Sequence, residues 1–463
     1  MTFSKRNSSK DSSQQGEVGA REAALLILKE VEEKGAYLNL VLNRVLAQRS
    51  FTPAERALLT ELAHGVIQRL QTLDWVISLY STRPLKKFTP WIRNILRIGT
   101  YQLLYLERIP EAAAVDEAVK LGHRYGHKGV AGLVNAVLRK IGREKNKLPW
   151  PSREQDPARY LSLFYAYPLW MARRWIENLG LEAAEAHCSA GNQRPPLTIR
   201  TNTLRLSRDE LQKVLEEEGA GTQECRYTSV GLYLNLAGRL AELESFQRGL
   251  FQVQGESSML AATLLNPQPG ELVLDLCSAP GGKTTHLAAL MKNQGRIIAA
   301  DLYPHRLKLV QAACARQGVQ IVEAENIDGR SLPPQWQGLF RRVLLDVPCS
   351  GLGVIRRKGD LKWRRRPEDI ASLSQLQQQL LRSAFQALSS GGVLLYSACT
   401  TEPEETTEII DGFLAEEPLA RPAPLSPFLP PALSVDEKTE GQIFLWPTKH
   451  DLDGFFLARI RKR

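Results

Sequence analysis

The stretch Glu271-Leu-Val-Leu-Asp-Leu-Cys-Ser-Ala-Pro-Gly-Gly-Lys-Thr-Thr285 decides the fold of the carboxyl-terminal half of the chain. Its residues 272–276 form a short apolar run that is typical of a buried parallel strand. A tight Ala-Pro-Gly-Gly turn follows, and the composition of residues 283–291 favours a helix. A strand, a glycine-rich turn and a helix start together let a ligand approach bare backbone amides.

Two familiar phosphate-binding motifs do not fit this turn. Gly282-Lys283-Thr284 imitates the end of a P-loop, but that motif needs a glycine where this chain has Cys277. The dinucleotide fingerprint G-x-G-x-x-G is also absent from the stretch. Asp301 ends the next apolar run, about 20 residues past the turn, where an acidic side chain accepts ribose hydroxyls in such folds. The pattern therefore predicts a nucleotide-type crevice at the carboxyl end of a first strand.

The run Asp-Leu-Cys-Ser-Ala-Pro-Gly-Gly-Lys-Thr-Thr resembles the S-adenosylmethionine loop of RNA (cytosine-5) methyltransferases. This resemblance implies S-adenosylmethionine as the cofactor. It assigns the ribose-binding carboxylate to Asp301, a supporting arginine to Arg306 and the acceptor near adenine to Asp328. The full set of cofactor residues that it implies is Cys277, Ser278, Ala279, Pro280, Gly281, Gly282, Lys283, Asp301, Arg306, Asp328 and Asp346.

Length and composition bound the remaining possibilities. A chain of 463 residues exceeds one ordinary core and predicts a multidomain protein. Sixty Lys and Arg residues against fifty Asp and Glu residues give a net charge of +10, which favours a polyanionic partner. Six cysteines without a C-x-x-C pair indicate neither a disulfide framework nor a zinc site, so we expect no metal. No apolar run reaches membrane-spanning length, and we expect a soluble, cytoplasmic monomer without a membrane partner.

The sequence of the amino-terminal half predicts a disordered tail followed by helices. Residues 1–16 are polar and predict disorder. Apolar residues at helical spacing from residue 21 to about 141, with a capping box at Thr52-Pro53-Ala54-Glu55, predict an all-α domain at residues 17–146. Ile95-Leu-Arg-Ile-Gly-Thr-Tyr-Gln-Leu-Leu-Tyr105 and Gly132-Leu-Val-Asn-Ala-Val-Leu-Arg139 resemble the NusB-type RNA-binding domain. Basic residues on these helices fit that resemblance or an ordinary solvated surface.

Two further domains are predicted after a proline-rich linker. Residues 158–250 read as a small α+β module, with strands at 197–202 and 232–236 and a helix at 208–218; similar enzymes carry an RNA-recognition-like extension here. Residues 251–463 alternate strand and helix, which predicts an α/β, Rossmann-like catalytic domain. Its strands are expected at 272–276, 296–300, 319–324, 342–346 and 392–397, with a closing hairpin at 443–446 and 455–460.

Two cysteines carry the strongest chemical signal. Cys349 in Leu344-Leu-Asp-Val-Pro-Cys-Ser-Gly351 and Cys399 in Leu394-Leu-Tyr-Ser-Ala-Cys-Thr-Thr401 each follow an apolar strand. A single cysteine is more often a small buried hydrophobe than a nucleophile. Parallel strands end at one edge of the sheet, however, so both thiols converge on the cofactor turn. This placement favours a catalytic function.

A thiol suits the chemistry that the resemblance implies. Ring carbon 5 of cytosine is too weak a nucleophile to take a methyl group unaided, and thiolate addition at carbon 6 activates it. The two cysteine motifs resemble those of the same methyltransferases, in which the second cysteine, here Cys399, is the nucleophile and the first, here Cys349, assists product release. We expect Asp346 to be a protonated acid that donates to ring nitrogen 3, and a base to remove the carbon 5 proton.

The densest basic stretch is Arg356-Arg-Lys-Gly-Asp-Leu-Lys-Trp-Arg-Arg-Arg366. A charge run is usually a solvated face. This one follows the Cys349 loop and includes an aromatic residue, which suits phosphate contacts and base stacking. We therefore predict RNA contacts from Arg356, Arg357, Lys362, Trp363 and Arg364.

Nearly everything after residue 20 resembles the RsmB (Sun/Fmu) family, which joins a NusB-like domain to a methyltransferase that modifies small-subunit ribosomal RNA. The resemblance implies an S-adenosylmethionine-dependent 16S rRNA (cytosine-5) methyltransferase acting on an unstacked base. Two alternatives remain at this point. One is a tRNA (cytosine-5) methyltransferase, and the other is a non-catalytic NusB-like RNA-binding assembly factor.

Overall fold

The computed structural model describes residues 18–236, 238–433 and 441–463. The tail predicted at residues 1–16 lies outside the described residues. The chain divides into two compact units, the first ending at Ala184 and the second beginning at Glu185.

All the regular secondary structure in the described part of the first unit is helical. The predicted capping box is present, because the Thr52 backbone N–H donates to Glu55 at 3.0 Å and the Glu55 N–H donates to Thr52 at 3.3 Å. Apolar residues at helical spacing in the first helix, Ala24, Leu25, Leu28 and Val31, are buried. The helices are α1 (Ala20–Lys34), α2 (Leu38–Gln48), α3 (Pro53–Gln68), α4 (Leu70–Tyr80), α5 (Pro90–Tyr105), α6 (Glu111–Tyr125), α7 (Lys128–Glu144), α8 (Pro157–Phe164) and α9 (Leu169–Leu179), and α10 (Leu181–Ala190) runs across the division.

The second unit opens with a small antiparallel sheet of order β2-β3-β1-β4. Its elements are β1 (Leu197–Thr201), α11 (Arg208–Glu217), β2 (Gly221–Glu224), β3 (Gly231–Asn235), α12 (Glu244–Gln247) and β4 (Phe251–Val253). The two predicted strands and the predicted helix are all present. Phe251–Val253 pairs with β1, so residues just beyond the boundary predicted at 250 belong to this sheet.

The rest of the second unit is built on an eight-stranded sheet of order β10-β12-β9-β8-β5-β6-β7, with β11 paired to β12. Strands β5 to β9 are parallel, and the last three are antiparallel. The strands are β5 (Leu272–Leu276), β6 (Arg296–Asp301), β7 (Val322–Asn326), β8 (Phe340–Asp346), β9 (Leu388–Ala398), β10 (Ala420–Pro422), β11 (Gln442–Leu445) and β12 (Phe455–Lys462). The helices are α13 (Glu256–Leu265), α14 (Gly282–Leu290), α15 (Pro304–Gln317), α16 (Leu361–Arg364), α17 (Pro367–Ala387), α18 (Thr407–Glu416) and α19 (Pro447–His450).

The core explains why this sheet stays in register. Successive residues of a strand point to opposite faces, so Val273 packs into one buried cluster and Leu274 into the other. Leu344 and Leu345 divide in the same way. Both faces are therefore covered, as expected of a parallel sheet. The strand order reverses at β5, which has β6 on one side and β8 on the other, and that switch point is where such folds bind ligands.

No helix in the described residues combines the length and the apolar character needed to cross a bilayer. Nor do those residues contain a cluster of three or more His, Cys, Asp or Glu side chains that could hold a metal ion.

Candidate active site

The turn after β5 forms the first part of the site. Cys277 has a φ of 65° and Gly281 a φ of 96°, so the backbone reverses sharply between strand and helix. A Cβ atom on Gly281 would come within 2.9 Å of the Val310 Cα atom, so this position has room only for glycine. Pro280 is exposed at the tip of the turn. Helix α14 begins at Gly282, and the first amides of a helix have no partner within it.

Asp301 and Arg306 tie this turn to the end of β6. Asp301 is buried, and its Oδ2 accepts a hydrogen bond from the backbone N–H of Ala279 at 3.3 Å. Arg306 pairs with Asp301 at 3.3 Å and donates to the Ala279 carbonyl at 3.0 Å. The structure therefore brings the predicted loop together with these two predicted residues.

Asp328 lies further along the same edge of the sheet, after β7. Its carboxylate pairs with Arg330 at 2.6 Å, and hydrogen bonds from Arg330 hold the pKa of Asp328 below its ordinary value. Asn326, the last residue of β7, donates to the Asp301 carbonyl at 3.0 Å. The ends of β6 and β7 are therefore held together, and any ligand that uses Asp328 shares this acceptor with Arg330.

Two buried polar atoms beside the turn lack a hydrogen-bond partner within the part of the chain that the structure describes, Ser278 Oγ and Asp275 Oδ1. A Cβ atom built on Gly282 would meet only Gln254, at 4.0 Å, so open space adjoins the turn. Buried polar atoms are rarely left unpaired, and these fit a polar ligand at this edge. The other oxygen of Asp275 accepts from Thr284 at 2.6 Å, and burial raises the pKa of Asp275 to about 7.

Asp346 ends β8 on the other side of the turn. Its Oδ2 accepts a hydrogen bond from the Lys283 ammonium group at 2.7 Å, and its Oδ1 accepts one from the Ser397 hydroxyl at 3.0 Å. This geometry corrects the prediction that Asp346 is a protonated donor. Both oxygens act as acceptors beside a cation, and the protons available for donation are those of Lys283.

Cys349 and Cys399 meet at the carboxyl ends of β8 and β9. Their Sγ atoms lie 3.1 Å apart, and both thiols are free. The convergence that the strand order predicted is therefore present, on the same edge of the sheet as the cofactor turn.

The charges around the two thiols differ. A hydrogen bond with Cys349 lowers the pKa of Cys399, burial and the Asp346 carboxylate act against it, and the ammonium groups of Lys283 and Lys358 lower the pKa further. The hydrogen bond to Cys399 and burial raise the pKa of Cys349 well above its ordinary value, and the carboxylate of Glu405 adds to that effect. Cys399 is therefore the thiol better suited to exist as a thiolate.

The other cysteines have inert surroundings. Cys188, Cys225 and Cys314 are buried, and burial raises the pKa of each, to about 12 for Cys188 and about 11 for Cys314. Burial also raises the pKa of Cys277 within the turn.

The basic stretch at residues 356–366 differs from the RNA-contacting surface that the sequence predicts. The Arg356 side chain is 4% exposed and pairs with Asp453 at 2.7 Å and with Asp451 at 3.1 Å. Arg357 pairs with the other oxygen of Asp453. Lys362 is fully buried, and its ammonium group donates to Asn192 at 3.4 Å. The prediction that Arg356 and Lys362 contact RNA phosphates is therefore wrong, because internal partners bury both cations.

The other predicted contacts, Arg357, Trp363 and Arg364, are partly exposed. Trp363 lies 5.2 Å from the Lys362 ammonium group, and Arg364 pairs with Asp360 at 3.2 Å. The residues of the stretch that face solvent are Lys358 and Arg366, which the sequence did not single out. Only knowledge of which cations pair internally could have revealed them.

Glu405 is a further residue that the sequence did not reveal. It is fully buried, six residues after Cys399, and hydrogen-bonds the residue that follows Cys349. Nothing in Pro403-Glu404-Glu405 marks one of the two glutamates as buried, since an acidic pair normally predicts an exposed surface.

Comparison with known proteins bears on all of these regions. Residues 262–461 match the family described as 16S rRNA methyltransferase RsmB/F, residues 19–143 match the NusB family, and residues 167–240 match the ferredoxin-like domain of the RsmF/B-like methyltransferases. The "Probable ribosomal RNA small subunit methyltransferase B" of Bacillus subtilis is 38% identical over 96% of this chain and 98% of its own length.

Solved structures support the same relationship. The crystal structure of PH0851 is 28% identical, has a TM-score of 0.79, and covers 97% of this chain and 100% of its own. The structure of NSun6 from Pyrococcus horikoshii with SFG is 25% identical, has a TM-score of 0.58, and covers 65% of this chain and 99% of its own. The predicted fold classes are confirmed, and the chain belongs to the RsmB/F family of 16S rRNA methyltransferases.

Proposed function

We propose that this methyltransferase transfers a methyl group from S-adenosylmethionine to carbon 5 of a cytosine in 16S rRNA through a covalent adduct with Cys399. The observation that carries the proposal is the pair of thiols 3.1 Å apart beside a nucleotide-type turn. Methylation of an oxygen or an amine needs no thiol nucleophile. Two thiols at the reaction edge suit a base carbon that requires covalent activation.

The cofactor fits the turn after β5. Residues 277–283, with the buried Ser278 hydroxyl, would hold its methionine end, Asp301 and Arg306 its ribose, and Asp328 its adenine. When bound, S-adenosylmethionine supplies an electrophilic methyl group. The NSun6 structure contains SFG, an analogue of this cofactor, which supports the proposal by relationship.

Cys399 begins the reaction by adding to carbon 6 of the cytosine ring. The hydrogen bond from Cys349 and the nearby ammonium groups favour its thiolate form. The addition turns carbon 5 into the nucleophilic end of an enamine.

Lys283 and Asp346 act together on the polar edge of the base. Negative charge that develops at ring nitrogen 3 needs a donor, and Asp346 is engaged as an acceptor. In this proposal the Lys283 ammonium group supplies the proton or the hydrogen bond, and Asp346 orients it. The pair replaces the lone protonated carboxyl group that the sequence favoured.

Cys349 assists the release of the product. After carbon 5 is methylated, a base removes the carbon 5 proton and the carbon 5–carbon 6 double bond forms again. The Cys399–carbon 6 bond breaks, and its electron pair returns to the Cys399 sulfur. Cys349 faces that sulfur and can donate a hydrogen bond to the departing thiolate.

Family membership and the named relative support small-subunit rRNA as the substrate. We further propose that residues 17–146 form an RNA-binding domain, residues 158–250 an RNA-recognition-like module and residues 251–463 the catalytic domain of a cytoplasmic enzyme. The target base must be unstacked, because its ring carbons are inaccessible in a duplex. Lys358 and Arg366 are the exposed cations best placed along the basic stretch for phosphate contacts.

Transfer of labelled methyl to deproteinised 16S RNA, followed by bisulfite mapping, tests the function. We expect label at carbon 5 of one cytosine and none in tRNA. Label in tRNA alone would favour the tRNA alternative, and no transfer to either RNA or to small-subunit particles would favour a non-catalytic assembly factor. Label at a base nitrogen or a ribose oxygen would exclude the covalent mechanism.

A further inference from the structure

Glu405 is a buried acid that binds the Cys349 loop. It has no exposed surface, and it follows β9 in a short helical turn, Pro403–Glu405. Its Oε1 accepts from the Ser350 backbone N–H at 2.7 Å and from the Gln377 amide at 3.1 Å, and its Oε2 accepts from the Ser350 hydroxyl. Three donors surround the carboxyl group, so both of its oxygens act as acceptors.

A hydroxyl chain extends this contact to the second cysteine loop. The Ser350 hydroxyl donates its one proton to Glu405, so the 3.0 Å contact between Ser350 Oγ and Thr400 Oγ1 must use the Thr400 proton. Ser350 follows Cys349, and Thr400 follows Cys399. One buried carboxylate therefore aligns the residues adjacent to both thiols.

Neighbouring contacts make this arrangement rigid. The Tyr396 hydroxyl donates to the Glu405 carbonyl at 2.8 Å, and Gln377 donates to the Pro348 carbonyl at 2.9 Å. Arg365 donates to the Ser350 carbonyl at 2.7 Å. Several hydrogen bonds therefore hold the Cys349 loop, and Glu405 supplies the carboxylate among their partners.

The charge of Glu405 also acts on Cys349 itself. A carboxylate close to a thiol disfavours the thiolate, and burial strengthens this effect. The ionisable or charged groups around Cys349 are Cys399, Glu405, Asp346, Tyr396 and Arg365, the last through the Cys349 carbonyl at 3.3 Å, and those around Cys399 are Cys349, Asp346, Lys283 and Lys358. Carboxylates therefore dominate on the side of Cys349, and ammonium groups are found on the side of Cys399.

We propose that Glu405 is a positioning residue that aligns the two cysteine loops and, by its charge, keeps the Cys349 thiol protonated so that it donates to the Cys399 thiolate. The inference rests on the proposed function, because it assigns Cys349 a donor role at the sulfur that adds to the base. The charge of Glu405 then adds to the hydrogen bond and the burial that disfavour the Cys349 thiolate.

Thiol alkylation tests this proposal without RNA or turnover. In a Cys399→Ala background, Cys349 is the remaining thiol of the pair, and mass mapping follows its alkylation by iodoacetamide as a function of pH. Glu405→Gln removes the charge and keeps the size and an acceptor for the Ser350 N–H. We expect the pH midpoint of Cys349 alkylation to fall by about one unit, which is a tenfold change in the thiol equilibrium.

Glu405→Asp is the matched control, because it keeps the charge. We expect its midpoint to stay near that of the parent. A change of maximal rate with an unchanged midpoint in Glu405→Gln would mean altered access alone and would overturn the charge role. Because no methylation is measured, failure of the proposal is distinguishable from failure of the proposed function, which the RNA-mapping experiment tests.

Ser350→Ala provides an independent test if Glu405→Gln fails to fold. It keeps the Glu405 charge but removes the hydroxyl that links Glu405 to Thr400. With both cysteines present, loss of alignment should raise the pH midpoint of Cys399 alkylation, because the Cys349 thiol no longer points at Cys399. An unchanged midpoint would overturn the aligning role.

Discussion

The cofactor turn after β5 and the basic stretch at residues 356–366 are equally conspicuous in the sequence, yet they differ in how well the sequence predicts them. The turn lies between a strand and a helix as predicted, with Asp301 and Arg306 beside it. In the basic stretch, cations predicted to face RNA are instead buried against carboxylates and amides of the same chain.

The difference lies in where the partners are. The conformation of the turn is encoded locally, by glycine at a positive φ and by a strand that ends at an acid. Whether a basic side chain is buried or exposed depends on its partner. Arg356 and Arg357 share the partner Asp453, which lies almost a hundred residues later in the chain. A run of basic residues therefore predicts a solvent-exposed surface only when no carboxylate from a distant segment pairs with its side chains.

Asp453→Asn should show the largest effect, because it removes the partner of two guanidinium groups. The Arg356 side chain is 4% exposed and would keep only the pairing with the exposed Asp451, so the loss should approach the cost of breaking a buried ion pair, about 3–5 kcal/mol. Urea unfolding followed by circular dichroism measures this loss. Asp451→Asn is the control, since Asp451 is 74% exposed and an exposed ion pair is worth at most about 1 kcal/mol. An equal loss of unfolding free energy in the two variants would mean that the basic stretch is a solvated surface.

Asp275 offers a pH-dependent contrast with Asp453, because a hydroxyl and no cation is its hydrogen-bond partner. Burial raises its pKa from 3.8 to about 7, so the unfolded chain loses this proton at a lower pH than the folded chain. The contribution of Asp275 to the free energy of unfolding is therefore greatest at low pH, and it is lost as the pH rises from 3.8 to about 7. The slope is about 1.4 kcal/mol per pH unit, or about 4 kcal/mol in total.

Asp275→Asn should remove this component of the pH dependence. Urea unfolding between about pH 4 and pH 7 compares the variant with the native chain, and the difference in unfolding free energy should change steadily in favour of the variant as the pH rises. Asp209→Asn, at an exposed position, is the control, and its unfolding free energy should change with pH in the same way as that of the native chain. Parallel curves for Asp275→Asn would mean that Asp275 is ionised in the folded state.

Asp301→Ala should weaken cofactor binding, because it removes the proposed acceptors of the ribose hydroxyls and a contact that holds the turn. A charge-assisted contact of this kind is worth about 2–3 kcal/mol, or some tens-fold in affinity. Isothermal calorimetry with S-adenosylmethionine measures it. Glu323→Gln, which changes an exposed carboxylate of β7, should leave the affinity unchanged. If Asp301→Ala bound S-adenosylmethionine with the affinity of the native chain, Asp301 would not be a cofactor-binding residue.

The sequence predicted the parts of the fold that repeat a strong local pattern. Strand β5 has the predicted bounds, and β11 and β12 form the predicted hairpin. Strand β7 was expected at 319–324 and lies at Val322–Asn326, where its alternating acidic residues give no apolar run. Strands β2, β4 and β10 were not predicted, because they are only three or four residues long and contain no apolar run like Ile443-Phe-Leu445 of the equally short β11.

The same limit applies to the site. The convergence of Cys349 and Cys399 follows from strand order alone, so the sequence could predict it. The pairing of Lys283 with Asp346 and the burial of Glu405 depend on how side chains from separate segments pack. Local sequence carries no record of such packing.

Lys358 and Arg366 should give the smallest effect. Both are exposed, and each phosphate contact contributes about 0.7 to the log–log salt dependence of single-strand binding. The double variant Lys358→Gln with Arg366→Gln should therefore flatten the slope by about 1.4 units in filter binding with 16S RNA. Lys86→Gln with Lys87→Gln, a matched pair in the first unit, tells whether the effect is specific to this stretch. An unchanged slope would leave the stretch without an RNA contact.

The central claim, that Cys399 adds to the base and Cys349 assists release, is tested most directly by a denaturing gel of labelled RNA with each purified variant. Cys349→Ala should leave RNA covalently attached through Cys399, giving a retarded band that survives denaturation. Cys399→Ala should give no such band and no methylation, while it still binds S-adenosylmethionine. A retarded band with Cys399→Ala and none with Cys349→Ala would make Cys349 the nucleophile and contradict the account.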